Sequence, residues 1–247
     1  MPYLTCSLLS PFPHGFFTQQ WAPRFPEMLV AALQPQAEVF RVRQVHGKQI
    51  LTAGEILAAA SGDPLPPADG VFGDRPGQSV WVASADCTPV LMGDIVTGQV
   101  AAIHAGWRGT AQRIVPEALS LFLTQGSDLG NIRVALGPAI AGEVYQVDRD
   151  VAVELGRSIS SEFAQGDTEE LVAYLMSLPE PPILADAQPE KLRLDVRRVN
   201  WLQLLHLGIE PEQMAVAKEC TYQNCAYFFS YRRTGAKQVQ WSGIVSL

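Results

Sequence analysis

Two histidines and one cysteine stand in three short motifs: Gln44-Val45-His46-Gly47, Ala85-Asp86-Cys87 and His104-Ala105-Gly106-Trp107-Arg108-Gly109. His46, Cys87 and His104 offer two imidazole nitrogens and one thiolate, a donor set suited to a borderline-soft metal ion. Three protein ligands leave the fourth tetrahedral position to water or substrate, the arrangement of a catalytic rather than a structural zinc site. The chain has four histidines, and two of them fall in these motifs. Taken singly, each residue is more often packing than ligand; the trio is what points to a site.

The segment after His104 adds a candidate anion site. Gly106, Trp107, Arg108 and Gly109 turn from a strand into a helix, which aims free backbone N–H groups from the positive end of a helix dipole. Arg108 contributes a forked cation suited to phosphate or carboxylate, and Trp107 a ring that can stack on a flat base. The plainer reading is a tight turn with Trp107 in the core and Arg108 at the surface. Asp86 can orient a metal ligand by bonding to His46 or His104, accept a proton, or simply bond nearby backbone N–H groups. Gly47 and Gly106 let backbone pass close to a bound group. Ser230-Tyr231-Arg232-Arg233 sets two cations beside a hydroxyl and a ring, though exposed charge is the simpler account. Arg43 and Lys48 are further cations near His46.

These residues need a scaffold, and 247 residues can bury a substantial core. The net charge of −7 and the lack of a basic stripe argue against nucleic acid. Four cysteines over this length do not make a disulfide framework. The first basic residue is Arg24, so no signal-type leader is read, and no apolar run reaches membrane-spanning length. The chain reads as a soluble protein of the reducing cytoplasm, with Cys87 a thiolate rather than half of a bridge.

Strands are expected at 38–43, 79–83, 90–92, 98–104, 132–136, 214–217, 227–231 and 239–245. Helices are expected over 110–124, with Pro116 a kink or a first-turn residue, over 148–158, and after Asp195 as N-cap. Residues 57–67 and 179–189 read as exposed loops. Strands outnumber helices without alternating with them, which favours α+β with mixed sheets over a doubly wound fold.

Together the motifs resemble the YfiH-like family, whose members are called laccase-domain proteins, polyphenol oxidases, peptidoglycan editing factors and purine nucleoside phosphorylases. The match extends to His14-Gly15-Phe16-Phe17-Thr18, Gly137-Pro138, Tyr145-Gln146-Val147, Cys220-Thr221 and Phe229-Ser230-Tyr231-Arg232-Arg233, and so runs from residue 14 to residue 233 in family order, which reads residues 1–247 as one domain. The resemblance implies one αββα-type sandwich with mixed sheets and a zinc held by His46, Cys87 and His104. It also implies phosphorolysis of adenosine, inosine and methylthioadenosine, with some adenosine deamination. The chain departs from the family at Gln19-Gln20-Trp21, at Ala141-Gly142-Glu143-Val144, and after Arg233, which puts substrate anchoring in question.

The resulting expectation is a zinc-dependent purine nucleoside enzyme. Cys87, His46, Asp86 and Arg108 are its reactive groups, and phosphate is held by Arg108 with Gly106, Trp107, Gly109, Arg43 or Arg232. Zinc that activates a water would serve deamination directly. Three readings compete. A copper oxidase would use copper in place of zinc, with Met92 as a weak ligand, but a multicopper cluster needs about ten histidines. A Cys–His hydrolase, fitting amide hydrolysis in cell-wall precursor editing, would use Cys87 as nucleophile and His46 or His104 as base. The last is a metal-binding protein without catalysis. Oligomeric state and preferred nucleoside are not legible in the chain.

Overall fold

The structure is a computed structural model that describes residues 3–59, 65–163 and 165–247. Apolar β-branched and aromatic runs form two large sheets. The first has the order β1 (Tyr3–Leu4), β2 (His14–Phe17), β14 (Gln240–Val245), β6 (Gln78–Ser84) and β3 (Glu38–Phe40). The second runs β13 (Met214–Val216), β9 (Ile132–Leu136), β7 (Thr88–Asp94), β8 (Val100–Ala105), β5 (Gly70–Gly73) and β4 (Ile50–Thr52). Both are mixed: β3 pairs parallel with β6 and β4 with β5, while β7 lies antiparallel to β8 and β9.

Alternation along each strand decides the layers. Phe16, Val80, Val82 and Ile244 of the first sheet pack against Val71, Leu91, Ala102 and Ala135 of the second. The opposite face of the second sheet, with Phe72, Val90, Ile103 and Val134, is covered by Ile114, Val115, Leu119 and Phe122 of α4 (Ile114–Thr124). The outer face of the first sheet, with Phe17, Trp81 and Val245, is covered by Leu29 and Val30 at the end of α1 (Pro26–Leu29). Burial on both faces explains why β7 and β8 read as unbroken apolar runs. The result is the α+β sandwich of mixed sheets that the sequence suggested.

A smaller sheet, β10 (Gln146–Asp148), β12 (Lys191–Leu194) and β11 (Ile183–Ala185), shares a separate cluster with α5 (Arg149–Ser158), α6 (Thr168–Ser177) and α7 (Val196–Leu205). Asp195 caps α7 by accepting from Arg198 N at 3.1 Å. No helix among the described residues is long and apolar enough to cross a membrane.

Four expectations need correction. The helix over 110–124 is two helices, α3 (Trp107–Ala111) and α4, broken where Arg113 adopts φ 63° and donates Nη1 to Ile159 O at 3.3 Å. Pro116 lies in the first turn of α4, where its missing N–H costs nothing. The strand over 227–231 is not formed. There the Arg233 guanidinium gathers the carbonyls of Thr221, Tyr222 and Phe228, and Ser230 caps the short helix α8 (Tyr231–Thr234). The loop at 179–189 contains β11. Of the loop at 57–67, residues 57–59 end the helix α2 (Ala53–Ala59), residues 60–64 lie outside the described residues, and Pro67 bridges to Arg43.

A candidate metal centre

Cys87 ends the short link that carries the chain from β6 in the first sheet to β7 in the second. His104 stands on β8 opposite Pro89 of β7, so strand pairing alone brings it beside Cys87. His46 comes from the loop after β3, which is tied to β6 by the Gln44 side chain. Its amide donates to Ala83 O at 2.8 Å, and its oxygen accepts from Ala83 N at 2.7 Å. The side chain thus mimics a strand neighbour at the point where pairing ends.

The ligand atoms of His46, Cys87 and His104 lie within 4.8 Å of one another, close enough for one ion to reach all three. Among the described residues they form the one cluster of this kind. The two imidazoles meet edge to face with centroids 4.8 Å apart. Burial pushes the Cys87 thiol up, but the charge of His104 and hydrogen bonds from His104 and His46 outweigh it and hold the thiol well below its ordinary value. Burial pushes His104 down, but the Cys87 charge and bonds to Asp69 and Cys87 hold it above its ordinary value. The two shifts support each other, favouring a thiolate at Cys87 and an imidazolium at His104.

The carboxylate that organises it is Asp69, just ahead of β5, and not Asp86. Fully buried, Asp69 accepts from the backbone N–H groups of Val45 (3.2 Å), His46 (2.9 Å) and Gly47 (2.7 Å), and bonds His104 Nδ1 at 3.0 Å. Its own carbonyl accepts from His104 N at 2.8 Å. One side chain thus fixes two of the three ligands and leaves Nε2 of His104 facing the cluster. Burial would raise its pKa, but the bonds from His104, Gly47 and His46 hold it low. The same three amides stabilise His46 in the left-handed region at φ 62°, which a non-glycine residue adopts only at some cost. Sequence reading missed Asp69. Its signal was a lone carboxylate between Ala68 and Gly70, directly before a strand that reads as wholly buried.

Asp86, expected to partner an imidazole, turns away from both. Oδ1 accepts from Thr221 Oγ1 at 2.7 Å; Oδ2 accepts from Ser230 Oγ at 3.0 Å and Arg232 N at 2.7 Å. Its backbone, at φ 92°, is held by Ile140 N donating to its carbonyl at 3.0 Å. Asp86 thereby straps the C-terminal segment onto the loop that carries Cys87.

Gly106 is the residue that geometry demands most. A Cβ there would lie 2.9 Å from Cys87 Sγ, 3.5 Å from His46 Cδ2 and 3.6 Å from His104 Cε1. At Gly109 a Cβ would meet Gly47 O at 2.8 Å, whereas at Gly47 the nearest atom would be Asp69 Oδ2 at an ordinary 3.7 Å. The close-approach argument thus holds for Gly106 and fails for Gly47. The helix opening at Trp107 has five residues, so its dipole is a weak anion attractor. Half-buried Trp107 packs against the α5–α7 cluster, and the Arg108 guanidinium sits 4.3 Å from its ring centre. Its ring thus already has the cluster and Arg108 as neighbours.

Arg108 and Arg232 are exposed. The Arg232 guanidinium lies 4.7 Å from the ring centre of Tyr145, and its Nη1 donates to Gln146 O at 2.8 Å. Burial and then the Cys87 charge push the Tyr145 phenol up to about 12, against the pull of Arg232 and Arg108. Arg43 is exposed, its backbone bonded to Pro66 and Ala68. Lys48 lines a separate groove with Glu117, Ser120 and Thr124.

A four-layer sandwich with a His–Cys–His cluster where its sheets meet defines a narrow class of proteins. Residues 26–245 match the family described as multi-copper polyphenol oxidoreductase laccase, and the chain belongs to that family. A protein of Synechocystis sp. named a purine nucleoside phosphorylase is 58% identical over 247 residues, covering 99% of this chain and 94% of its own length. Purine nucleoside phosphorylase YfiH of Escherichia coli is 31% identical over 193 residues, 78% of this chain and 67% of that protein. The crystal structure of Bacillus licheniformis YfiH matches with a TM-score of 0.79 at 25% identity, covering 100% of this chain and 97% of the other.

Proposed function

We propose that this chain is a zinc-dependent purine nucleoside phosphorylase, taking adenosine, inosine and methylthioadenosine with inorganic phosphate, and deaminating adenosine as a side activity. The observation that carries the reading is the open His46–Cys87–His104 donor set, with exposed Arg108 on the turn that follows His104 and Arg232 bonded through its N–H to Asp86 beside Cys87. Phosphorolysis breaks the bond from C1′ to the purine nitrogen and forms one from C1′ to a phosphate oxygen. It needs a held anion, and a proton or cation near the departing base. The two exposed guanidiniums meet the first need.

Two nitrogens and a sulfur fit zinc by donor type, and the lowered thiol removes most of the proton competition for its sulfur. Bound zinc would supply Lewis acidity beside the base. Asp69 then keeps the His104 imidazole oriented and the His46 backbone in place, and Asp86 holds the Arg232 N–H. Support from relatives is direct: the Synechocystis and Escherichia coli proteins carry the phosphorylase name.

Copper fits the same donors, so a copper-loaded oxidase is the second reading, favoured by the family description. The histidines argue against a copper cluster. His14 has both ring nitrogens engaged, by Phe12 O and Cys6 N at 2.8 Å each, and His206 bonds Leu202 O at the end of α7. Ligands remain for one ion.

The test is purified protein of verified metal content, incubated with inosine with and without phosphate. Hypoxanthine and ribose 1-phosphate should appear only when phosphate is present, and phenols should be untouched. Phosphate-independent hydrolysis would move the reading to a hydrolase. Phenol oxidation by zinc-only protein, with no purine released, would overturn it.

A further inference from the structure

Residues 19–21, where the chain departs from the family pattern, build a wall that the metal chemistry does not use. Gln19 N donates to Tyr227 O at 2.8 Å, and the Gln19 side-chain amide donates to Cys225 O at 2.9 Å and Ala226 O at 3.0 Å. These bonds pin the turn to the C-terminal segment. Trp21 follows, its ring meeting Phe17 edge to face at 5.3 Å over the outer face of the first sheet. Trp21, Phe25, Leu29, Phe229, Val239 and Trp241 line a cavity of about 200 Å³, and no ligand of the metal cluster borders it.

Two cations attend this cavity, and only one has a counter-ion. The Arg41 guanidinium lies 5.7 Å from the ring centre of Phe25 and 5.9 Å from that of Trp241, while its Nε donates to Glu27 Oε1 at 2.8 Å. Arg24 lines the cavity itself, exposed, with its guanidinium 4.9 Å from the Trp21 ring centre. Among the described residues no carboxylate or carbonyl accepts from that guanidinium. Size and chemistry then narrow the occupant. An apolar cavity of about 150 Å³ holds benzene, so the space here admits one ring with a short substituent. Aromatic walls suit a ring in offset or edge contact, and a forked guanidinium suits a carboxylate. Phe25 stays 53% exposed, apolar area that such a ring would cover.

We propose that this cavity binds a one-ring aromatic carboxylate, its ring against Trp21, Phe25 and Trp241 and its carboxylate on Arg24. The site is independent of the phosphorylase reading, because none of its residues belongs to the metal cluster or to the cations assigned to phosphate.

Titration of phenylacetate and of neutral phenylacetamide into the zinc-loaded full chain, followed by ligand-observed NMR, tests the assignment. Phenylacetate should bind saturably, and phenylacetamide at least about 10-fold more weakly. Arg24→Gln should bring the acid down to the level of the amide and leave the amide unchanged. Val239→Trp, at an exposed position, should fill the cavity and remove both, with zinc content and urea midpoint as in wild type. Equal binding of acid and amide, acid binding untouched by Arg24→Gln, or binding that survives Val239→Trp would each overturn the proposal. So would the lack of saturable phenylacetate binding up to about 10 mM. Self-association that Val239→Trp abolishes, with phenylacetate unbound, would give the cavity to a second copy of the chain instead.

Discussion

Cys87 supplies one ligand directly and a second by influence, since its charge is the largest attraction holding the His104 imidazolium. Replacing it with Ala removes the sulfur and loosens the pair. Cys87→Ala should retain less than about a tenth of wild-type zinc, because a two-imidazole remnant falls short of the ligand count that zinc sites use. Its metal-free unfolding free energy should stay within about 1 kcal/mol of wild type, the side chain being small and only half-buried. Metal analysis and urea unfolding read both; His206→Gln, whose ring bonds only its own helix, should keep full zinc. Residues at this scale were legible where their types are rare. Two of four histidines in motifs flagged the triad, whereas Asp69 is one of many carboxylates and matters only because strand β5 delivers it under the loop of His46. Asp86 was singled out for adjacency to Cys87, and adjacency misled: at φ 92° its side chain leaves the cluster's side of the chain.

Among the elements, the turn between β8 and α3 is where backbone and metal chemistry meet. Gly106→Ala puts a methyl group 2.9 Å from the Cys87 sulfur, with the His46 and His104 rings at 3.5 and 3.6 Å. We expect metal affinity to fall by roughly 10- to 100-fold, the range seen when ligand orientation is disturbed. Gly47→Ala, with 3.7 Å of room and an ordinary backbone angle, should bind metal nearly as wild type. Competition with a chromophoric chelator compares the two; equal affinities would show that the crowding at Gly106 is relieved elsewhere. Strands β8 and β9 were readable because burial leaves mostly apolar runs. The 227–231 segment carries the same aromatic content for another purpose: Phe228 is a core plug, and the chain around it is shaped by the Arg233 side chain, which no local pattern announces. The break between α3 and α4 was missed because the turn at Arg113 depends on carbonyls of a distant helix end.

Across the whole molecule, the balance of mixed strands over helices pointed to the right class, while the stacking order of the two sheets depends on pairings between remote segments. His14 sits within the first sheet, its Nδ1–H donating to Phe12 O and its Nε2 accepting from Cys6 N. Burial pushes its pKa below 6.5, with the Phe12 bond working the other way. The unfolded chain therefore binds this proton more readily than the folded one. The contribution to stability is complete above about pH 6.5 and is lost as pH falls through the lower folded pKa. His14→Gln should flatten the urea midpoint between pH 8 and pH 5 while costing about 1–3 kcal/mol at pH 8 through its buried bonds. Parallel slopes in variant and wild type would remove His14 as the source of the acid loss.

The central position of β14 has a consequence in time. It lies between β2 and β6, pairing Ser242 with Phe16 on one side and Val82 on the other. On a ribosome the first sheet must wait for these residues, with β2 and β6 emerging long before the strand that joins them. The β7–β8 hairpin faces no such delay, because its contacts are local and its loop is short to close. Cys87 and His104 both belong to that hairpin's open end. Two of the three metal ligands can therefore be neighbours while the nascent chain still lacks β14, and His46, with the Asp69 and Ala83 contacts that hold its loop, has already emerged by then.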